Sequence, residues 1–281
     1  MKNILFFYLL CLSPALLAQG QRYYVHAAAA GANTGQSWTD AFTDLQTALQ
    51  AAQAGDEVWV AEGLYKPTAG TDRGISFEPR SGVRLFGGFA GTETALDQRD
   101  WEKYPAVLRG DIGAAGDSSD NSNNVLYLHQ PDSSTVVDGF TLRDAVADGG
   151  LGGSAFGRIK CGGGLYIMGQ DWEAYPTVRN CLMAHNTARN YGGGAFVNGS
   201  GDGSVAPQFV NCRFEDNRSL GSGGGLAWLG ASWVERPDDI LNCSFLRNTA
   251  VNYGGGLYTV DAERADHLDI SGCRILESQA G

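Results

Sequence analysis

The sequence predicts an all-β solenoid, a right-handed parallel β-helix with a short N-terminal capping α-helix. Three observations lead to this prediction: an internal repeat of 30 or 31 residues, a two-residue alternation within each copy, and a glycine triplet at the same place in every copy. A constant period of this length is typical of proteins whose repeats stack on one another. We therefore expect one coil of chain per repeat, with parallel strands about 4.8 Å apart.

The repeat begins with an Asn-Cys pair, continues through a large apolar residue and a second asparagine, and ends at the glycine triplet. Successive pairs are 31 and 31 residues apart, and a Gly-Cys pair follows 30 residues later. The recurring positions are Asn180-Cys181, Asn211-Cys212, Asn242-Cys243 and Gly272-Cys273 for the pair, Asn186, Asn217 and Asn248 for the second asparagine, and Gly162, Gly192, Gly223 and Gly254 for the triplet. We expect the second asparagines to stack at a turn and to bond one another there.

Alternate residues of each copy are expected to face opposite sides of a strand. Cys212 and Phe214 fall on one side, and Arg213 and Glu215 fall on the other. The inward columns predicted in this way are Cys181, Cys212, Cys243 and Cys273, then Leu165, Ala195, Leu226 and Leu257, then Ile167, Val197, Trp228 and Thr259. One rung would hold three short strands and three turns. A helical solenoid is disfavoured, because the alternation has period two and glycine triplets weaken helices.

Residues 1–18 have the pattern of a signal peptide. Lys2 precedes an apolar run over residues 4–12, and Ala18 closes a small-residue cleavage site. The run is shorter than the roughly 20 residues that span a bilayer, and no later segment approaches that length. We therefore expect an exported chain without a membrane span, with a lipid anchor on Cys11 as the alternative.

The remaining chain is predicted to hold a cap and a β-helix. Residues 19–56 form the cap, with a helix at about 42–54 that Thr39 or Thr43 starts and Gly55 ends. Residues 57–281 form the β-helix, in about seven rungs, with regular rungs from about residue 161. The last copy stops before its glycine triplet, and we therefore expect the C-terminus to be truncated inside a rung.

The composition excludes several classes of protein. The formal net charge of −11 disfavours phosphate backbones and anionic membranes, so nucleic acid is not expected as a partner. A hydrophobic content of 43% and an aromatic content of 10% are too high for a disordered chain. A folded chain is therefore expected. We also expect this chain to be a monomer.

Several segments resemble known families. The Phe-x-x-Asn and Gly-Gly-x-Leu units resemble the repeats of the chlamydial polymorphic outer-membrane protein family. The segments that resemble secreted bacterial right-handed β-helix proteins are Tyr24-Val25, Ser37-Trp38, Gly55 to Val60, Gly87 to Glu93 and Asp138 to Thr141. The resemblance covers nearly all of the chain after residue 18. It implies the pectate-lyase-like superfold, an extracellular or outer-membrane location on a bacterium, and adhesion or display rather than a defined reaction.

Cysteine and histidine spacing predicts no metal site. The cysteines beyond the signal segment are 20, 31, 31 and 30 residues apart, whereas zinc sites need close pairs. The four histidines share no ligand spacing. We expect buried free thiols. Disulfide bridges within the column are the alternative, because export would permit them although parallel side chains make the torsion difficult.

The candidate binding residues form an outward aromatic column of Tyr166, Phe196 and Tyr258. They neighbour the inward leucine column, so alternation sends them to the outer face of the sheet. Aromatic rings spaced by whole rungs could stack on sugar rings. The alternative is that neighbouring loops cover the three rings.

No cofactor is predicted, although calcium would suit the loops that follow the glycine strands. These loops contain Asp171, Glu173, Asp202, Glu235, Asp238, Asp239, Asp261, Glu263 and Asp266. Stacked rungs would bring the carboxylates to one side, where they could supply the 6–8 oxygens that calcium takes. Ordinary solvated loops explain the same residues equally well.

No catalytic residue can be singled out. Gly157-Arg158-Ile159-Lys160 resembles one element of polygalacturonases, but Asp238-Asp239 follows it instead of preceding it and no Gly-His-Gly occurs. The predicted function is therefore binding or adhesion, with a glycan or a surface protein as the partner. The alternatives are a polysaccharide lyase or glycoside hydrolase on the same fold, and a structural stalk for missing C-terminal domains.

Overall fold

The computed structural model describes residues 20–150, 152–169, 173–200, 204–230, 240–260 and 269–281. Within these ranges the chain forms a right-handed parallel β-helix of about eight turns, and its longest sheet has eight strands, one per turn. Neighbouring strands pair in parallel throughout the regular rungs. Each of these rungs contributes four strands to the long sheets rather than the three expected, because a two-residue strand precedes each glycine triplet. Two of the described rungs also contain a fifth short strand.

Four stacked sheets run along the solenoid. The first sheet contains Arg22–Val25, Glu57–Ala61, Arg84–Phe89, Val136–Asp138, Thr177–Arg179, Gln208–Val210, Ile240–Leu241 and Ile270–Ser271. The second contains Gly63–Tyr65, Ala106–Arg109, Phe140–Arg143, Leu182–Ala184, Arg213–Glu215, Ser244–Leu246 and Arg274–Leu276. The third contains Val146–Ala147, Thr187–Ala188, Arg218–Ser219, Thr249–Ala250 and Gln279–Ala280. The fourth contains Leu126–His129, Leu165–Met168, Ala195–Asn198, Leu226–Leu229 and Leu257–Val260, and a separate pair joins Glu173–Ala174 to Ser204–Val205.

The N-terminal helix is shorter than predicted and spans Leu45–Ala51. Asp44 caps it by accepting hydrogen bonds from the backbone N–H groups of Gln46 and Thr47, so neither predicted threonine is the cap. Its buried face packs on the first turn of the core. Arg22–Val25 joins the first sheet, which therefore begins inside the range predicted as the cap. In the described part of the chain, no helix is long and apolar enough to cross a membrane.

The predicted inward columns lie in the core except at the last described rung, where Leu257 and Cys273 are partly buried and Thr259 is exposed. Leu165, Ala195, Leu226 and Leu257 are in register across the fourth sheet. Phe214 stacks on Phe245 with ring centroids 4.7 Å apart and an interplanar angle of 6°. The cysteine column is buried and its thiols are free, with Cys273 partly exposed at the last described rung. All five described cysteines have free thiols, and the prediction that they are buried is confirmed for Cys161, Cys181, Cys212 and Cys243.

The second asparagines form the amide stack that the repeat predicts. Asn186 Nδ2 donates to Asn217 Oδ1 at 3.1 Å, and Asn217 Nδ2 donates to Asn248 Oδ1 at 3.0 Å. The same oxygens accept from the backbone N–H groups of Asn186 and Asn217. All three side chains are buried, so the stack supplies hydrogen bonds that water cannot reach.

Candidate functional site

Two rings of the predicted aromatic column are covered. Alternation places Tyr166 and Phe196 outside the fourth sheet, yet both are 0% exposed. The Tyr166 hydroxyl donates to the backbone carbonyl of Phe156 at 2.6 Å and accepts from Asn198 Nδ2 at 2.8 Å. The expectation that these two rings line the surface is therefore wrong. They belong to a second, smaller core.

The cover over this second core comes from the segment before the first regular glycine triplet. Phe156 packs at 6.5 Å from Phe196, measured between ring centroids. Arg158 lies 4.5 Å from the ring centroid of Tyr127 and pairs with Glu78 at 2.7 Å. Lys160 Nζ donates to the backbone carbonyl of Gly152 at 2.6 Å. The Arg-Ile-Lys element therefore holds the cover in place, which is a structural role.

Tyr258 is the member of the column that reaches the surface. Its ring stacks with Tyr191 at 6.2 Å and with Tyr253 at 5.9 Å, and the interplanar angles are 7° and 14°. Tyr253 is 65% exposed at the outer end of this stack. A binding role for Tyr258 stays a prediction, whereas Tyr166 and Phe196 could contact a ligand only if the cover moved.

A second polar concavity lies elsewhere, along the turn between the first and second sheets. This groove encloses about 420 Å³. The residues that line it are Trp101, Glu102, Pro105, Gly139, Phe140, Thr141, Asn180, Cys181, Leu182, Asn211 and Arg213. One wall comes from the irregular segment between Leu96–Gln98 and Ala106–Arg109, and the other comes from the regular rungs. We call this concavity the turn groove.

The floor of the turn groove carries a ladder of asparagine side chains. Asn180 and Asn211 both have a φ angle of 53°, a left-handed conformation that asparagine tolerates better than most residues. Asn211 Nδ2 donates to Asn180 Oδ1 at 2.8 Å, and Asn180 Nδ2 donates to Asp138 Oδ1 at 2.8 Å. The backbone turn therefore presents amide groups in a row along the groove.

Asp138 anchors the inner end of this ladder and holds the groove wall. Its fully buried carboxylate lies 2.5 Å from Arg99 Nη2 and 2.6 Å from Arg179 Nε. Arg99 also donates to the carbonyl of Gly87 and lies 5.2 Å from the ring centroid of Trp101. Both carboxylate oxygens of Asp138 are engaged, so this arginine–carboxylate cluster fixes the wall and offers no free base.

No pattern in the sequence predicts the turn groove. Asparagine recurs at this position in three successive copies, Asn180, Asn211 and Asn242, and recurrence indicates a structural position. Trp101 lies outside the repeat, in a segment whose fold the period does not predict. One signal could have indicated the site: Trp101 is an aromatic residue between two charged residues, and it lies outside the repeat, before the strand Ala106–Arg109.

The candidate metal ligands are the His, Cys, Asp and Glu side chains in the described ranges. Across the ranges that the structure describes, no three His, Cys, Asp or Glu side chains come together as a metal site. Of the acidic loop residues considered for calcium, Glu173 lies on the short strand Glu173–Ala174 and is exposed. The others, Asp171, Asp202, Glu235, Asp238, Asp239, Asp261, Glu263 and Asp266, lie outside the described residues. That calcium prediction therefore stays untested.

Comparison with known proteins adds no relative. No protein-family model matches the chain, and no curated protein or solved structure shows significant similarity to it. The class of protein is therefore given by its own architecture, a parallel β-helix with a polar groove along one turn.

Proposed function

We propose that this chain is an exported or cell-surface binding protein that holds a glycan in the turn groove. One observation carries the proposal: the groove combines an aromatic ring, Trp101, with a row of amide side chains that includes Asn180 and Asn211. Its volume of about 420 Å³ falls within the roughly 300–1,000 Å³ typical of ligand pockets.

The lining groups suit the two faces of a sugar. The indole ring of Trp101 offers an apolar surface for the C–H face of a pyranose. The amides of Asn180 and Asn211 and the hydroxyl of Thr141 both donate and accept, as sugar hydroxyls require. Glu102 and Arg213 carry opposite charges at the rim, which favours a neutral saccharide over a strongly acidic one.

The same geometry favours binding over glycoside hydrolysis or elimination. Hydrolysis commonly uses two carboxylates at a fixed separation across the scissile bond. Glu102 is the single carboxylate among the lining residues, and the nearby Asp138 is buried and saturated by Arg99, Arg179 and Asn180. The lyase or hydrolase alternative is therefore less well supported. The stalk alternative gives no reason for a concave, amide-lined surface.

The sequence supports the proposed exported location and the proposed similarity to a family of bacterial surface proteins. The apolar N-terminal segment and the resemblance to chlamydial polymorphic outer-membrane protein repeats suit an adhesin of the pectate-lyase-like superfold on a bacterial surface. The net charge of −11 suits a monomer that avoids nucleic acid. The partner would be a glycan, free or carried on a surface protein.

The experiment is a glycan array probed with the purified chain and three variants. Trp101→Ala removes the ring, and Asn211→Gly removes one amide while keeping a residue that accepts the left-handed backbone. Tyr253→Ala is the matched control, because this exposed ring lies outside the groove. We expect at least roughly tenfold weaker retention for the first two variants, equivalent to about 1.4 kcal/mol, and unchanged retention for the control.

Circular dichroism and product analysis complete the test. Retained glycan should elute at its original length, and shortened or unsaturated products would instead establish the enzyme alternative. Equal retention by the wild type and by both groove variants would place the ligand elsewhere. Loss of retention in Tyr253→Ala alone would move the site to the tyrosine stack that contains Tyr258.

A further inference from the structure

A loop between the second and fourth sheets is closed on itself at its base. The backbone N–H of Ser122 donates to the carbonyl of Gly110 at 2.8 Å, so residues 111–121 leave and rejoin the solenoid at one point. Arg73 Nε donates to the carbonyl of Asn121 at 2.7 Å and braces the same base. Asp111 and Asn121 therefore flank the neck from opposite sides. We call residues 111–121 the acidic loop.

Both carboxylates at the base of the acidic loop point into it. Asp111 Oδ1 accepts from the backbone N–H of Gly116 at 3.1 Å, and Asp120 Oδ2 accepts from that of Ala114 at 2.8 Å. These donors belong to the far half of the loop, so the chain folds back over the two side chains. The second oxygen of each carboxylate is buried as well.

Three acceptor oxygens at this base have no hydrogen bond from any described group: Asp111 Oδ2, Asp120 Oδ1 and Asn121 Oδ1. Asp111 is 3% exposed and Asn121 is 6% exposed. Asp111 Oδ2 has an ion pair with Arg109 Nη2 at 2.8 Å, without hydrogen-bond geometry. Buried acceptors without a donor are costly and uncommon in folded proteins. Asp111 Oδ2 at least has the Arg109 charge beside it, whereas Asp120 Oδ1 and Asn121 Oδ1 have neither a hydrogen bond nor an ion pair in the described structure. Two such neighbouring oxygens in one closed loop indicate a missing electropositive partner.

We propose that the acidic loop binds one calcium ion through Asp111, Asp120 and Asn121. Calcium takes carboxylate, amide and backbone carbonyl oxygens in flexible geometry, and a loop with two carboxylates and one amide oxygen supplies this mixture. The exposed carbonyls of the loop and water complete the shell. Zinc is disfavoured, because the loop contains no cysteine or histidine.

The neighbouring cations do not replace the proposed ion. Arg73 pairs with Asp148 at 2.6 Å, and Arg109 is shared with Asp144 at 2.7 Å. In the described structure neither Asp117 nor Asp120 has an ion pair with an arginine or lysine, and of these two carboxylates Asp120 is the one with a buried, unbonded oxygen.

The test uses the full chain, stripped with EGTA and titrated with CaCl₂ or MgCl₂. We expect a calcium dissociation constant of about 10⁻³ M or tighter by calorimetry. A melting temperature about 3 °C or more higher in 10 mM CaCl₂ than in EGTA should accompany it, since a ligand that binds only the native state stabilises it. Magnesium should give a smaller shift, because it requires near-octahedral geometry and dehydrates reluctantly.

Asp120→Asn should weaken calcium affinity at least roughly tenfold. Asp117→Asn is the matched control, because this exposed carboxylate lies in the same loop and is held by Ser119. Calcium affinity should be unchanged there. Equal loss in both variants would mean that general loop charge binds the ion, and equal responses to CaCl₂ and MgCl₂ would mean non-specific screening. Either result would overturn the proposal.

Hydrogen exchange of the wild type locates the ion without any variant. Calcium should slow amide exchange in peptides that cover residues 110–124 and leave the regular rungs unchanged. Protection of peptides around Glu235 or Glu263 instead would assign calcium to the acidic loops after the glycine strands. No protection anywhere, together with no calorimetric signal, would leave water as the partner of the unbonded oxygens.

Discussion

Asn217 shows how one side chain can connect three rungs. Its Nδ2 donates to the carbonyl of Met183 and to Asn248, while its Oδ1 accepts from the backbone N–H and the amide of Asn186. Because the residue is buried, water cannot replace these four bonds. At the residue scale, stability therefore depends on polar groups inside the solenoid as well as on apolar ones.

Asn217→Ala should lower the free energy of unfolding by about 2–4 kcal/mol. The substitution leaves the buried N–H of Asn186 without its acceptor and removes one donor from the Met183 carbonyl. An unsatisfied buried group costs roughly 1–3 kcal/mol, and a lost hydrogen bond adds about 1 kcal/mol. Urea denaturation measures the change, with Asn252→Ala as the control because that side chain is exposed. A loss of stability no larger than in the control would show that the amide stack is replaceable.

The glycine triplets explain how the elements approach one another. A Cβ atom added at Gly224 would lie 2.4 Å from the carbonyl oxygen of Thr249 and 2.5 Å from that of Gly255. Both are backbone atoms of the next rung, so a side chain there would push two strands apart. At the scale of the element, the triplet is required by the contact between coils rather than by flexibility.

Gly224→Ala is expected to destabilise the fold by at least about 1–3 kcal/mol, the usual cost of overpacking. Gly150→Ala serves as the control, since a Cβ atom there would meet no atom within 4 Å. Thermal unfolding of both variants gives the comparison. Equal melting temperatures would mean that the two coils can move apart to fit the methyl group without any loss of stability.

At the scale of the whole molecule, the interior contains phenols and thiols that resist ionisation. Burial raises the pKa of Tyr65 and that of Cys161 to about 12, from ordinary values of 10.0 and 9.0. Burial also raises the pKa of Tyr166 and of Cys212. These groups lie both in the first turns and in the regular rungs, so their ionisation would destabilise the core along its whole described length.

The free energy of unfolding should therefore fall as the pH rises from about 9 to about 12. The unfolded chain loses these protons first, so the contribution is complete below pH 9 and is lost as the pH approaches the native values. Urea denaturation at pH 8, 10 and 11 measures the slope. Cys161→Ala should reduce it, and a slope identical to that of the wild type would exclude this thiol as a contributor.

Sequence reasoning succeeded where the repeat acts locally. The period determines the register of Leu165, Ala195 and Leu226, and alternation determines which side chains face inward. It was less accurate at the N-terminal helix, where Asp44 proved a better cap than either threonine because its carboxylate reaches two backbone N–H groups. Irregular segments such as the one carrying Trp101 have no period from which their path could be read.

The repeat is enough to predict the parallel solenoid, the inward columns and the amide stack, because each depends on residues that contact their own copies one period away. The exposure of the outward residues depends on the packing of distant segments. Alternation places Tyr166 outside its strand, but Phe156 covers it from a segment outside the repeat. The turn groove likewise needs Trp101 to meet Asn211 from a distant part of the chain. Such contacts depend on how loops pack on the finished solenoid, and no local pattern encodes that.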